Sequence, residues 1–278
     1  MVCAILMAIG GTGCAKSSED ISVISREDGS GTRGAFIELF GVEQKNEAGE
    51  KVDYTTDAAD ITNSTSVMMT AVAGNPNAIG YISLGSLNDT VKALKIDGVD
   101  ANVENIKNGS YKIARPFNIA TGTAVSDAAQ AFIDFIMSAE GQAIVEANGY
   151  IAANDGAAAY AGSAISGKVV VAGSSSVTPV MEKLKEGYLT RNPGAEIEIQ
   201  QSDSSTGMNA LKDGTCDIGM ASRELKDSEL EAGLTPIVIA MDGIAVIVNN
   251  ENVAEGLTAE QVRAIYMGEV STWGELHA

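Results

Sequence analysis

The sequence has a single histidine, His277, next to the C-terminus. A histidine-based triad, a histidine-rich metal site and histidine phosphotransfer are therefore not expected. Cysteine is scarce as well: of three, Cys3 and Cys14 fall near the N-terminus and leave Cys216 alone, so no disulfide framework is expected. Lys and Arg total 18 against 37 Asp and Glu, a formal net charge of −19. Nucleic acid and anionic membrane surfaces are poor partners for such a chain, because counterion release needs a basic face. No apolar run reaches the roughly 20 residues that cross a bilayer. The nearest, Val2 to Gly13, stops short at Cys14. No internal repeat is visible, and no cofactor or metal is called for.

What is present is an apolar fraction of 45% over 278 residues, enough for one large domain or two lobes of about 100–150 residues. β-rich runs alternate with helical patterns, the mark of α/β architecture. Strands are predicted at Ile21–Ser25, Ala78–Ser83, Tyr111–Ala120, Lys168–Ala172, Glu196–Gln201, Ile237–Ala240 and Ile244–Asn249. Thr178 is placed to cap a helix with Pro179 at its first position. Thr258-Ala-Glu-Gln261 reads as a capping box, with Gly268 closing its helix. Two further helices are expected over Ser126–Met137 and Ser138–Asn148. Between them and the next strand lies a connector, residues 152–167, rich in Ala, Gly and Ser.

Three short Ser/Thr/Gly loops each run straight into a helical pattern: Arg26-Glu-Asp-Gly-Ser-Gly-Thr-Arg33, Gly173-Ser-Ser-Ser-Val-Thr-Pro179 and Ser202-Asp-Ser-Ser-Thr-Gly207. A helix N-terminus offers unpaired N–H groups and the positive end of the helix dipole, so such loops suit a small anion. Singly, each is a common N-cap. Together they suggest one oxyanion held by several helix ends. With this net charge, attraction must come from local donors and not from the surface as a whole.

At these motifs the chain resembles the substrate-binding proteins of phosphate ABC transporters. Gly214-Thr-Cys-Asp-Ile-Gly-Met-Ala-Ser-Arg223 and Gly268-Glu-Val-Ser-Thr-Trp273 extend the likeness over nearly all of the chain. The resemblance implies an α/β, two-lobed periplasmic-binding-protein fold (type II) with the ligand in the inter-lobe cleft. It also implies a circularly permuted chain order, since the family's usual first half here follows its second. The expected division is 1–20 as signal segment and tether, 21–110 plus 250–278 as the lobe carrying the Arg26 loop, and 111–249, including the connector, as the other lobe.

Carried onto this sequence, the resemblance implies phosphate contacts from Ser175, Ser176 and Val177, from Ser204 and Ser222, and from Ser30, Gly31 and Thr32 in the opposite lobe, with Arg26 giving the charge-assisted bond. Asp28 is expected to accept a proton from phosphate and so to reject sulfate, because a carboxylate only accepts. The role of Arg223 is left open, since some relatives are acidic near that position. Small residues ahead of Cys14, then the polar Ala15–Asp20, look like a lipoprotein signal with Cys14 lipidated. The implied protein is a monomeric, extracytoplasmic lipoprotein that captures inorganic phosphate for a membrane permease, touching the membrane only through its lipid anchor, and is not an enzyme. Two alternatives stay open: a binder of another oxyanion or small organic phosphate, and a secreted phosphoester hydrolase with Ser30 or Ser175 as nucleophile. The latter lacks an evident base.

Overall fold

The computed structural model describes residues 20–162 and 165–277. Cys14 and the rest of the expected signal segment lie outside the described residues. Among the described residues the main sheet has ten strands, eight of them in one continuous path: β1 (Ser22–Arg26), β2 (Asp60–Thr62), β3 (Ala78–Ser83), β4 (Ala114–Thr121), β5 (Gly167–Ser174), β6 (Ala195–Ser202), β7 (Ile218–Ala221) and β8 (Thr235–Val248), with the short strands Lys92–Ala93 and Ile151–Ala152 pairing onto β8. Their spatial order is β6-β5-β7-β4-β8-β3-β1-β2. Each wing is parallel, with β6, β5 and β7 in one and β3, β1 and β2 in the other. β4 and β8 run antiparallel between them and join the wings.

The hydrophobic pattern divides the molecule at those two joining strands. One buried cluster gathers Phe117, Ile119, Phe132, Val171, Leu184, Ile218 and Ile239. A second gathers Val23, Phe36, Tyr81, Tyr111, Ile113, Ile244, Val246 and Trp273, and smaller clusters around Met68 and Met208 lie behind the two wings. The chain therefore passes between lobes at about residues 114–115 and 242–243. The expected boundaries at 111 and 249 need correction: Tyr111, Ile113 and Ile244–Val248 pack with the Arg26 lobe. The physical reason is that β8 is one continuous strand. The expected strands Ile237–Ala240 and Ile244–Asn249 leave a gap at Met241-Asp242-Gly243, yet all three stay in the ladder with β4, Gly243 opposite Ala114.

Seven helices matter here: α1 (Gly31–Leu39), α2 (Thr65–Ala73), α3 (Asp127–Ile136), α4 (Ala139–Ala147), α5 (Thr178–Arg191), α6 (Ser204–Lys212) and α7 (Ala259–Tyr266). Thr258 and Gln261 form the expected capping box of α7, and Gly268 follows it at φ +74°. Thr178 is not the cap of α5. It is the first helical residue, and its hydroxyl donates back to the Ser174 carbonyl at 3.1 Å.

The core fixes where the loops stand. Phe36 of α1 stacks on Tyr81 at 3.9 Å between ring centroids and meets Tyr266 edge-on at 4.6 Å. Full burial of such a ring is worth about 1.5–3 kcal/mol, so α1 is held firmly behind β1. In the other wing, α6 lies on β5 so closely that a side chain on Gly207 would meet the Gly173 Cα at 2.5 Å. In both wings the strand-to-helix loops leave the carboxyl ends of parallel strands, where ligands of open α/β sheets bind. The two loop-bearing edges face each other.

Candidate functional site

The Arg26 loop is anchored from below. The Arg26 amide donates to the Tyr81 hydroxyl at 3.1 Å, and that hydroxyl lies 2.9 Å from Ser25 Oγ. Burial raises Tyr81 to about 12, so it stays a neutral anchor, although Ser25 and the Arg26 amide pull the other way. Arg26 is 2% exposed; its guanidinium binds Glu27 through two bonds of 2.7 Å and gives a third, of 3.0 Å, to Ser175 Oγ in the opposite lobe.

Around that contact the hydroxyls of both lobes converge. Thr32 Oγ1 lies 2.8 Å from Ser176 Oγ and 3.3 Å from Ser222 Oγ. Ser174 Oγ donates to Ser222 Oγ at 3.0 Å, and the Ser222 amide donates to Ser204 Oγ at 3.1 Å. Gly31 sits where any Cβ would fall 2.5 Å from Ser204 Oγ. All of these residues are buried. The lobes are closed on each other, and a backbone bond, Ser205 N–H to the Gly29 carbonyl at 3.2 Å, crosses the same seam.

Two members of the cluster escape the sequence reading. Thr65, the first residue of α2, places Oγ1 3.2 Å from Ser176 Oγ and 3.5 Å from Ser175 Oγ. Arg115, on β4, donates to Thr32 Oγ1 at 3.0 Å. Asn63-Ser64-Thr65-Ser66 carries the same Ser/Thr-into-helix signal as the other loops and could have been found by it. Nothing local marks Arg115.

Two expectations are corrected. Asp28 does not face the cluster: its side chain is 97% exposed and pairs with Arg33 at 2.8 Å. Arg33 also holds Asp53 and the Arg26 carbonyl. Burial alone would raise Asp53, but Thr55 and Arg33 outweigh it and leave its pKa below the usual value. Asp28 thus braces the arginine that braces the loop. Second, the amides of the Ser175 loop are occupied: Ser175 on the Ser202 carbonyl, Ser176 on Ser174 Oγ, and Val177 on the Ser174 carbonyl. Side-chain oxygens converge there, and Val177 offers no free donor. Ser30 Oγ also caps α1, accepting from the Arg33 amide at 3.3 Å, which leaves its own proton available to donate.

Arg223 has a settled place outside the hydroxyl cluster. It forks onto Glu229 with two bonds of 2.8 Å and touches Ser205 Oγ at 3.2 Å. Glu229 is buried. Burial would raise its pKa, but Arg223 and the Lys226 amide hold it below the ordinary carboxylate value. The guanidinium groups at this seam are thus each matched by carboxylate: Arg26 by Glu27, Arg115 by Asp242, Arg33 by Asp28 and Asp53, and Arg223 by Glu229. Among the described residues, no group of three or more His, Cys, Asp and Glu could hold a metal ion.

Two α/β lobes, joined by a pair of crossing strands and meeting through polar loops at the strand ends, define a two-lobed solute-binding protein. The model of the PBP superfamily domain matches residues 15–140 and 158–277. A phosphate-binding protein of Streptococcus agalactiae, PstS 2, is 57% identical over 98% of this chain and 94% of its own length. A crystal structure of a phosphate ABC transporter's phosphate-binding protein from Streptococcus pneumoniae superposes with a TM-score of 0.72 at 47% identity, covering 92% of this chain and 99% of that one. A phosphate-binding protein of Pseudomonas aeruginosa is 36% identical over 41% of this chain and 40% of its own. The chain belongs to the phosphate-binding protein family of the PBP superfamily.

Proposed function

We propose that this chain captures inorganic phosphate outside the cytoplasm and delivers it to the membrane permease of an ABC transporter. One observation carries the reading. Thr32 and Thr65 from one lobe and Ser175, Ser176 and Ser222 from the other meet within hydrogen-bond distance beside Arg26. A tetrahedral oxyanion taken between the lobes would exchange these hydroxyl contacts for its own oxygens, with Ser204 and the edge of Gly31 completing the wall. Because the nearby guanidinium groups are matched by carboxylates, binding rests on oriented dipoles in a site shielded from water. The relatives named for phosphate support this choice of anion. Titration calorimetry with phosphate is the test: saturable one-to-one binding is expected, and no heat at millimolar phosphate would refute it.

The site favours binding over turnover. Ser175 Oγ stands against a guanidinium and Ser30 Oγ against an amide, and neither partner can take a proton from a nucleophile. Among the described residues no helix is long and apolar enough to cross a membrane. We read Cys14 as the lipidated residue that tethers a monomeric binding protein; the family match, beginning at residue 15, supports a folded unit that starts after it. Mass spectrometry of the mature protein, finding an unmodified Cys14, would overturn that.

The chain order is read as a circular permutation. The streptococcal relative aligns with nearly the whole chain, and the Pseudomonas relative with two-fifths of it. This is the pattern expected where only one half can be matched in sequence. Asp20 bridges Thr272, and the Ile21 amide donates to the Ser271 carbonyl at 2.8 Å, so the two outer segments already lie together. A variant that links those segments and opens the chain within 153–162 should fold and bind phosphate within about threefold of the parent, since such exposed sites tolerate permutation. Failure to fold would count against the reading.

A further inference from the structure

Arg115 and Asp242 face each other as register partners on β4 and β8 where these strands cross between the lobes. Both are buried, at 3% and 1% exposed, and Arg115 Nη1 meets Asp242 Oδ2 at 2.6 Å. Strands need no ion pair at such a place, and taking two charges out of water is costly unless their remaining donors and acceptors are well used. They are. Arg115 Nη1 also reaches the Gly243 carbonyl at 3.2 Å, and Asp242 accepts from the Gly85 amide at 3.3 Å. Arg115 Nε donates to the Ser222 carbonyl at 3.0 Å, in one lobe. Nη2 donates to Thr32 Oγ1 at 3.0 Å, in the other.

That last bond has a chemical consequence. A hydroxyl can donate or accept, but a guanidinium only donates. Thr32 Oγ1 must therefore accept from Arg115, which leaves its own proton free to be given into the cluster. In the closed arrangement, Ser176 Oγ lies 2.8 Å away to receive it. With an oxyanion between the lobes, the anion would. Arg26 treats Ser175 Oγ in the same way from the other side of the cluster.

We propose that Arg115 is a positioning residue for anion capture: from the strand crossing it fixes Thr32 as a donor and grips Ser222, so that its guanidinium fork is satisfied only when the lobes are closed. This deepens the phosphate reading and rests on it. Arg115 acts through Thr32 and Ser222 and need not touch the ligand itself.

The test is a double-mutant cycle in phosphate calorimetry with Arg115→Lys and Thr32→Val. Lysine keeps the charge opposite Asp242 but lacks the planar fork that reaches Thr32 and Ser222 together. Arg115→Lys is expected to weaken phosphate binding by about 10- to 100-fold, the scale of one hydrogen bond to a charged group. Thr32→Val should then cost at least about fivefold less in the Arg115→Lys background than in the parent, because the two changes remove one shared interaction. A purely structural role for Arg115 would leave the two effects independent, and independent effects overturn the proposal. If Arg115→Lys does not fold, the pair Arg115→Met/Asp242→Asn removes both charges together and carries the same cycle. Parent-like phosphate affinity in a folded Arg115 variant also overturns it. No heat from the parent protein would instead overturn the phosphate assignment, and this inference with it.

Discussion

Arg26→Met is expected to weaken phosphate binding by at least about 100-fold, more than the loss of one charge-assisted hydrogen bond alone. The excess comes from Glu27. In the parent its carboxylate is held by two bonds of 2.7 Å to the Arg26 guanidinium, and its side chain is only 22% exposed. Methionine removes the cation and leaves that charge near the incoming anion, where the shielded setting strengthens repulsion. Stability should fall too, by about 1–3 kcal/mol, because an anion is left partly buried without its partner. A paired substitution separates the two effects: Arg26→Met/Glu27→Gln should recover most of the stability but not the affinity. Asp28→Asn is the contrasting control. Its carboxylate is exposed and paired only with Arg33, so affinity and the phosphate-to-sulfate ratio should each stay within about threefold, as for an exposed ion pair. Affinity in Arg26→Met equal to that of the parent, or a collapse of selectivity in Asp28→Asn, would contradict this division of roles.

Gly31→Val should block closure while sparing the fold. The position is the first of α1, and a Cβ there would stand 2.5 Å from Ser204 Oγ and 2.8 Å from Ser222 Oγ. Both contacts cross the seam between lobes, so the clash exists only when the lobes are shut. Overpacking of this kind costs about 1–3 kcal/mol, which corresponds to a loss of roughly 5- to 150-fold in affinity. The melting temperature without phosphate should move little. Small-angle scattering should then show no compaction on adding phosphate, in contrast to the parent. Parent-like affinity with normal compaction would mean that the lobes do not close through this glycine.

Much of this site is legible in the sequence because its parts are local. Each Ser/Thr loop sits directly before the helix it feeds, and the strand that delivers it is marked by a short apolar run. What the sequence hides is set by contacts far apart along the chain. Arg115 lies in Ala114-Arg115-Pro116-Phe117 with no polar motif around it, and its meaning comes from Asp242, 127 residues on. Asp28 misleads for the opposite reason: it stands two residues from Arg26, yet the turn directs Glu27 to that arginine and leaves Asp28 to Arg33 at the surface. Thr65 is the intermediate case. Its loop has the Ser/Thr signature but no glycine, so it reads as an ordinary cap. The continuity of β8 through Gly243 is likewise fixed by its ladder with β4, which periodicity within one segment does not reveal.

Calorimetric titration of the phosphate-stripped protein with inorganic phosphate, with sulfate as competitor, tests the central claim most directly. The expected result is one site with a Kd in the micromolar range or below, changing little between low and physiological salt because the seam carries matched charges and the anion is shielded. The same Thr32, Thr65, Ser175, Ser176 and Arg26 should mark the site when each is substituted. Absence of saturable phosphate binding would contradict the claim, as would parent-like affinity after loss of Arg26.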